Sequence, residues 1–178
     1  GIWKTAKLSD GYEEHAHNMP HDQYAAWQRE NLTEMMRLIP DHGAIFYNHK
    51  WRVQDGLMQD RQDIVGGFPV RQIIIWQRNG GLNFNDSYFL PTYEVIYLIA
   101  KPAFKLAKGG NKYGDVWNIT QERGSQHPAP FPRALAERII GSTNAKTILD
   151  PFSGSGTVAV AANRLGRDSI GIELSESY

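Results

Sequence analysis

Apolar side chains recur at helical spacing from Tyr24 through Trp27, Leu32, Met35 and Met36 to Ile39. Asp22 is placed to cap this run and Pro40 to end it, so a core-facing helix is expected over 22–39. The pattern then changes. Residues 43–50 read as a buried strand, apolar as far as Tyr47 and ending in Asn48 and His49. Residues 51–65 are polar with a helical look and stop at Gly66-Gly67-Phe68-Pro69. Two β-branched runs follow, 71–78 and 93–101, the second stopped by Pro102. The turn signal Asn79-Gly80-Gly81 between them predicts antiparallel pairing. The joining loop carries three aromatics, Phe84, Tyr88 and Phe89. After a Lys-, Gly- and Asn-containing stretch, 103–126, a helix is expected at 133–140, opened by Pro132 and stopped by Gly141.

The last segment organises the rest. Thr147-Ile148-Leu149-Asp150 is a short apolar run ending in an acid. Pro151-Phe152-Ser153-Gly154-Ser155-Gly156 is a turn, Thr157 opens a helix-like segment, and Ser169–Leu174 is a second apolar run containing Glu173. This is a strand–turn–helix–strand unit of the kind that holds a nucleotide-like ligand. Gly154 and Gly156 permit positive φ and close approach of backbone to ligand. The helix start favours an anionic group. A carboxylate ending the next strand, here Glu173, can accept both hydroxyls of a ribose. By glycine spacing alone, the unit also fits a nicotinamide-dependent oxidoreductase.

Composition narrows the class. The 178 residues, 41% hydrophobic and 21% charged, suit one α/β domain with a real core. No apolar run is long enough to cross a membrane, and no signal peptide is evident at the start. Zero cysteines exclude disulfides and thiolate metal sites and suit a cytoplasmic protein. Net charge is zero, but residues 61–133 hold 9 basic and 5 acidic side chains, the one basic stretch on which phosphates would draw. His15-x-His17-x-x-x-His21 has a metal-like look, but nothing rigid frames it, and a solvated loop is the plainer reading. His49 falls where open α/β sheets bind ligands, though a hydrogen-bonded structural histidine explains it equally.

Asp150-Pro151-Phe152-Ser153-Gly154-Ser155-Gly156-Thr157, with His127-Pro128-Ala129-Pro130-Phe131-Pro132 upstream, resembles the paired cofactor motifs of the S-adenosylmethionine-dependent amino-methyltransferases of DNA. The order, catalytic half first and cofactor half last, is similar to their permuted beta class. The resemblance implies a Rossmann-like sheet, mostly parallel with an antiparallel edge hairpin and helices on both faces. It implies one partial domain over 1–178: a target-side half at 1–126, with a short recognition loop at 103–126, and a cofactor half at 127–178. It also implies residue roles. Asp150 supports the turn and the methionine amino end of the cofactor, Phe152, Gly154 and Gly156 shape the turn, Thr157 begins the helix, and Glu173 holds the ribose. Phe131 and Pro132 flank the cofactor from the other side. The implied partner is double-stranded DNA with a flipped adenine or, less favoured, cytosine; a homodimer is compatible.

The family's acceptor motif, a polar residue followed by Pro-Pro and an aromatic, has no counterpart, since no Pro-Pro dipeptide occurs in the sequence. No catalytic residue is therefore assigned, the motif is expected immediately upstream of Gly1, and the fragment by itself is expected to be inactive. A non-catalytic relative that binds nucleic acid or a partner methyltransferase remains the alternative reading.

Overall fold

The computed structural model describes residues 19–78, 83–120 and 131–174. Helix α1 spans His21–Leu38, followed by strand β1, Ala44–His49. Strands β2, Arg52–Gln54, and β3, Leu57–Gln59, lead to the short helix α2, Gln62–Val65. Strands β4, Val70–Gln77, and β5, Tyr93–Ala100, form the expected antiparallel pair. Strand β6, Val116–Asn118, lies parallel to β4. Helix α3, Arg133–Gly141, strand β7, Thr147–Asp150, helix α4, Thr157–Arg164, and strand β8, Asp168–Gly171, complete the chain.

The main sheet has the order β1-β5-β4-β6, and β7 and β8 form a parallel pair of their own. The sheet is mixed: β5 runs antiparallel to both β1 and β4, while β6 runs parallel to β4. Its side chains alternate as a strand demands. Val95, Tyr97 and Ile99 face a core with Ala25 and Leu32 of α1. Ile96 joins Ile74, Trp76, Trp117 and Leu135 of α3 on the opposite face. Helices thus cover both faces. Leu32 is wholly buried, and burying such a side chain contributes roughly 1.5–3 kcal/mol.

Three local expectations are corrected. Helix α1 begins one residue before Asp22: Pro20 is the cap residue, with no side-chain cap bond, and Asp22 sits in the first turn. A proline with φ fixed near the required value starts the helix unaided, and its carbonyl accepts the Tyr24 N–H at 2.9 Å. Residues 51–65 are mostly a β-hairpin, not a helix. Asp55 and Gly56, at φ 53° and 77°, supply the left-handed pair that a tight two-residue hairpin needs, and this Asp-Gly signal outweighs the weak helical spacing. Gly141 is the last residue of α3, and Ser142 ends it in a right-handed conformation. The Ser142 hydroxyl donates to the Ile139 carbonyl at 2.7 Å, so a side chain rather than a glycine reversal satisfies the helix end.

The loop after β5 docks at the end of the sheet where β1 begins: Lys101 N–H donates to the Gly43 carbonyl, and Ala107 N–H to Ser142 at the close of α3. Lys105, Lys108 and Lys112 therefore stand on a stretch remote from the carboxyl ends of β1 and β7.

Candidate functional site

Strands β7 and β8 pair from Thr147↔Asp168 to Asp150↔Gly171, so the turn after β7 meets the chain leaving β8. Ile172 N–H donates to the Asp150 carbonyl at 2.9 Å, and Ser153 N–H to the Ile172 carbonyl at 3.0 Å. These two bonds continue the ladder past the strand ends and hold residues 150–153 against 171–173. Glu173 thus lies two residues beyond β8, at the mouth of the turn.

The glycines take the conformations expected of them. Gly154 has φ +47° and Gly156 φ +82°, and a Cβ built on either would meet nothing within 4 Å. Their need is conformational, and the space before them is open. Gly156 is also the cap residue of α4, so Thr157 is the first helical residue, as expected. The Glu173 carboxylate reaches across the turn: Oε2 accepts the Gly154 N–H at 2.7 Å and Oε1 the Leu174 N–H at 3.0 Å.

Asp150 ends β7 with its carboxylate turned onto the turn itself, accepting the Phe152 N–H at 3.1 Å. Burial raises its pKa above the ordinary carboxylate range; the Phe152 bond opposes the rise, and the Glu173 charge adds to it. Phe152 is half exposed, and its ring meets Trp27 of α1 edge-on, with centroids 5.6 Å apart and planes at 70°. Helix α1 therefore touches the turn directly, a contact that its periodic stripe does not distinguish from ordinary core.

On the other side, Phe131 meets Trp76 of β4 edge-on at 6.1 Å and also packs on the cluster that includes Ala161, Ala162 and Val158 of α4. It bridges the main sheet to the turn's helix. Pro132 is fully buried as the cap residue of α3, and its carbonyl accepts the Leu135 N–H at 2.9 Å. His127–Pro130, the turn at 79–81 and the first two histidines of the 15–21 series lie outside the described residues.

His49 is structural in its bonding. Nδ1 faces the Lys50 carbonyl at 3.0 Å and Nε2 faces the Tyr24 hydroxyl at 3.0 Å. Burial lowers its pKa, so the ring is held neutral, with Nδ1–H donating to Lys50 and Nε2 accepting from Tyr24. His21 pairs with Asp63 at 3.1 Å. Among the described residues, no group of three His, Cys, Asp or Glu is placed to hold a metal ion. One residue of the site escapes sequence reasoning. Gly171 lies under the turn, where a Cβ would come within 3.0 Å of Ser153 Cβ. Its position at the end of an apolar run beside a glycine-rich turn is the available signal.

The family model described as DNA methylase, of the N6/N4 methyltransferases, matches residues 4–178. The chain belongs to this family. Among its relatives, the Type II methyltransferase M.BglII of Bacillus subtilis is 28% identical over 201 residues, covering 89% of this chain and 56% of that protein. The Type II methyltransferase M.SmaI of Serratia marcescens is 47% identical over 146 residues, covering 72% of this chain and 48% of that protein. The chain thus spans about half the length of the curated relatives it matches. Two solved structures share the fold. The PvuII DNA methyltransferase (cytosine-N4-specific) superposes with a TM-score of 0.77 at 16% identity, covering 93% of this chain and 71% of that one. A putative DNA modification methylase from Thermus thermophilus, complexed with S-adenosyl-L-methionine, superposes with a TM-score of 0.67 at 26% identity, covering 88% and 75%. The α/β methyltransferase architecture is that of this family, and the nicotinamide-dependent alternative is set aside. Among the described residues, no helix is long and apolar enough to cross a membrane.

Proposed function

We propose that this chain is the greater part of the catalytic domain of an S-adenosylmethionine-dependent DNA methyltransferase that modifies the exocyclic amine of adenine or, less favoured, cytosine. One observation carries the cofactor assignment. A carboxylate, Glu173, stands at the mouth of an open two-glycine turn, already oriented by the Gly154 N–H at 2.7 Å. A carboxylate at the end of the strand that follows such a turn is of the type that accepts the vicinal hydroxyls of a ribose.

The residues present fit the cofactor. Glu173 would hold the ribose. Asp150 would brace the turn and face the methionine amino group, with Phe152, Gly154 and Gly156 forming the cradle and Thr157 opening the helix beneath it. Phe131 would form the opposite wall, with Pro132 fixing its place. When bound, the cofactor supplies an electrophilic methyl on a sulfonium. The chain's own part is to orient it and to exclude water around it. In this reading residues 127–178 are the cofactor half and 1–126 the target side. Within the target side, 103–126 is the short recognition loop. The substrate is double-stranded DNA with the target base flipped from the stack, met in the cytoplasm by a monomer or a homodimer. No Pro-Pro dipeptide occurs here, so the amine-binding role is assigned to none of these 178 residues.

Calorimetric titration tests the reading. Saturable binding of S-adenosylhomocysteine, weakened by Glu173→Ala, with no binding of NAD, is the expected result. Binding of NAD alone would overturn it.

A further inference from the structure

The loop between β4 and β5 stands at the same end of the molecule as the cofactor turn. Strands β1 and β4 both run against β5, so His49 and Gln77 finish beside its start, pairing with Val95 and Tyr93. Helix α1 precedes β1 and runs back along it, so that Tyr24 reaches His49. One turn on, Trp27 meets Phe152. Trp51, just past β1, meets Tyr93 at 6.2 Å. The strand ends, the base of the loop and the cofactor turn therefore share one face.

The loop is framed. Asn83 Nδ2 donates to the Tyr88 carbonyl at 2.7 Å, Asn83 Oδ1 accepts the Asn85 N–H at 3.1 Å, and Asn85 Oδ1 accepts the Ser87 N–H at 2.8 Å. Arg78 N–H donates to the Thr92 carbonyl at 2.7 Å, and Arg78 pairs with Glu94 at 3.3 Å, closing its base. Within this frame Phe84 is 87% exposed and Phe89 98%. A lone exposed apolar residue needs no explanation, but two phenylalanines on one hydrogen-bonded loop, beside the reaction end, are two large apolar side chains left uncovered among the described residues.

We propose that residues 83–92 form a nucleobase-stacking element, with Phe84 and Phe89 offering their rings to bases whose faces are uncovered when the target nucleotide leaves the duplex. The inference rests on the methyltransferase reading. Flipping a base leaves its neighbours with an unstacked face and a gap, which aromatic or apolar side chains fill. Such stacking tolerates any sequence, because every base has a π face. The loop's own charge agrees with this division of labour. Asp86 is the one charged residue between positions 79 and 92, so the loop has no cation with which to grip phosphates or a lipid surface.

The test uses a duplex carrying an abasic site, with 5-iododeoxyuridine beside it, and the whole chain with S-adenosylhomocysteine. Wild type is expected to bind and, on irradiation, to crosslink within 83–92. The double variant Phe84→Ala/Phe89→Ala is expected to bind this duplex about ten- to hundredfold more weakly at unchanged S-adenosylhomocysteine affinity and melting temperature, while Phe84→Tyr/Phe89→Tyr retains binding. Equal DNA affinity of wild type and the alanine variant, with crosslinks elsewhere, would overturn the inference and leave the methyltransferase reading intact. So would an effect of the alanine pair confined to self-association in sedimentation velocity, which would make the loop a contact between copies. Failure of wild type to bind either S-adenosylhomocysteine or the duplex would overturn the reading and the loop's role with it.

Discussion

Glu173 holds the amide of Gly154 from nineteen residues away, its Oε2 2.7 Å from the nitrogen. The bond joins the chain leaving β8 to the turn leaving β7. Hydrogen bonds that involve a charged group are about twice as strong as neutral ones.

Glu173→Ala should therefore weaken S-adenosylhomocysteine binding by about ten- to hundredfold, since it removes charge-assisted contacts worth roughly 1.5–3 kcal/mol. Glu173→Gln keeps the shape and one acceptor oxygen and should fall between the two. Calorimetry on the three proteins reads this directly. Equal affinities would assign the carboxylate to the turn alone.

Gly171 should resist substitution for a reason of packing. Its φ is not in the left-handed region, but a Cβ there would lie 3.0 Å from Ser153 Cβ and 3.1 Å from Ser153 Oγ. Gly171→Ala should push the turn off β8 and destabilise the protein by about 1 kcal/mol or more, lowering the melting temperature by roughly 2–4 °C. Adding Ser153→Gly should restore most of the loss. Additive effects in this double-mutant cycle would contradict the contact.

The two glycines, the two carboxylates and the aromatic of the turn are legible in the sequence because each answers a local demand: positive φ, a strand end, a helix start. The strands β1, β4 and β5 are legible for a similar reason, their β-branched apolar runs being long enough to outweigh other signals. Contacts between distant segments are not. Nothing in the helical stripe of α1 distinguishes Trp27, which touches Phe152, from Leu32, which is core. Gly171 reads as an ordinary strand glycine until Ser153 is placed above it. The hairpin at 52–59 escapes a periodicity reading because its strands are three residues each, too short for period-two alternation to outweigh polar composition, leaving Asp55-Gly56 as its signal. The depth of Pro132, fully buried at the start of α3, is likewise not given by its neighbours in sequence.

Trp27 should tune cofactor affinity from across the domain. Its ring is the edge-on partner of the half-exposed Phe152, and such pairs contribute about 0.5–1.5 kcal/mol beyond their burial. Trp27→Ala should weaken S-adenosylhomocysteine binding by about two- to tenfold, and Trp27→Phe should recover most of it. The accompanying readout is fluorescence: wild type should show a change in indole emission on binding that Trp27→Phe lacks. A loss of affinity in Trp27→Ala that Trp27→Phe does not recover would count against a ring-to-ring role.

Asp150 makes the site's electrostatics testable by pH. Its pKa is raised, first by burial and then by Glu173, with the Phe152 N–H opposing. A carboxyl whose folded pKa exceeds its unfolded value binds more protons in the native state across the interval between them. Stability therefore falls as pH rises through that interval, and at neutral pH the ionised Asp150 is a net cost to the fold. Asp150→Asn keeps an oxygen for the Phe152 N–H and removes the charge. It should raise the melting temperature at pH 7, with the gain shrinking as pH falls through that interval and gone below the ordinary carboxylate range, where the wild-type side chain is neutral in both states. The same substitution should weaken S-adenosylhomocysteine binding, because the acid that costs stability is the one facing the methionine amino group in the proposed site. Thermal melts from pH 3.5 to 7.5 beside calorimetry at pH 7 measure both. A variant less stable than wild type at pH 7 would show that the bond to Phe152 outweighs desolvation and would reverse the sign of the argument.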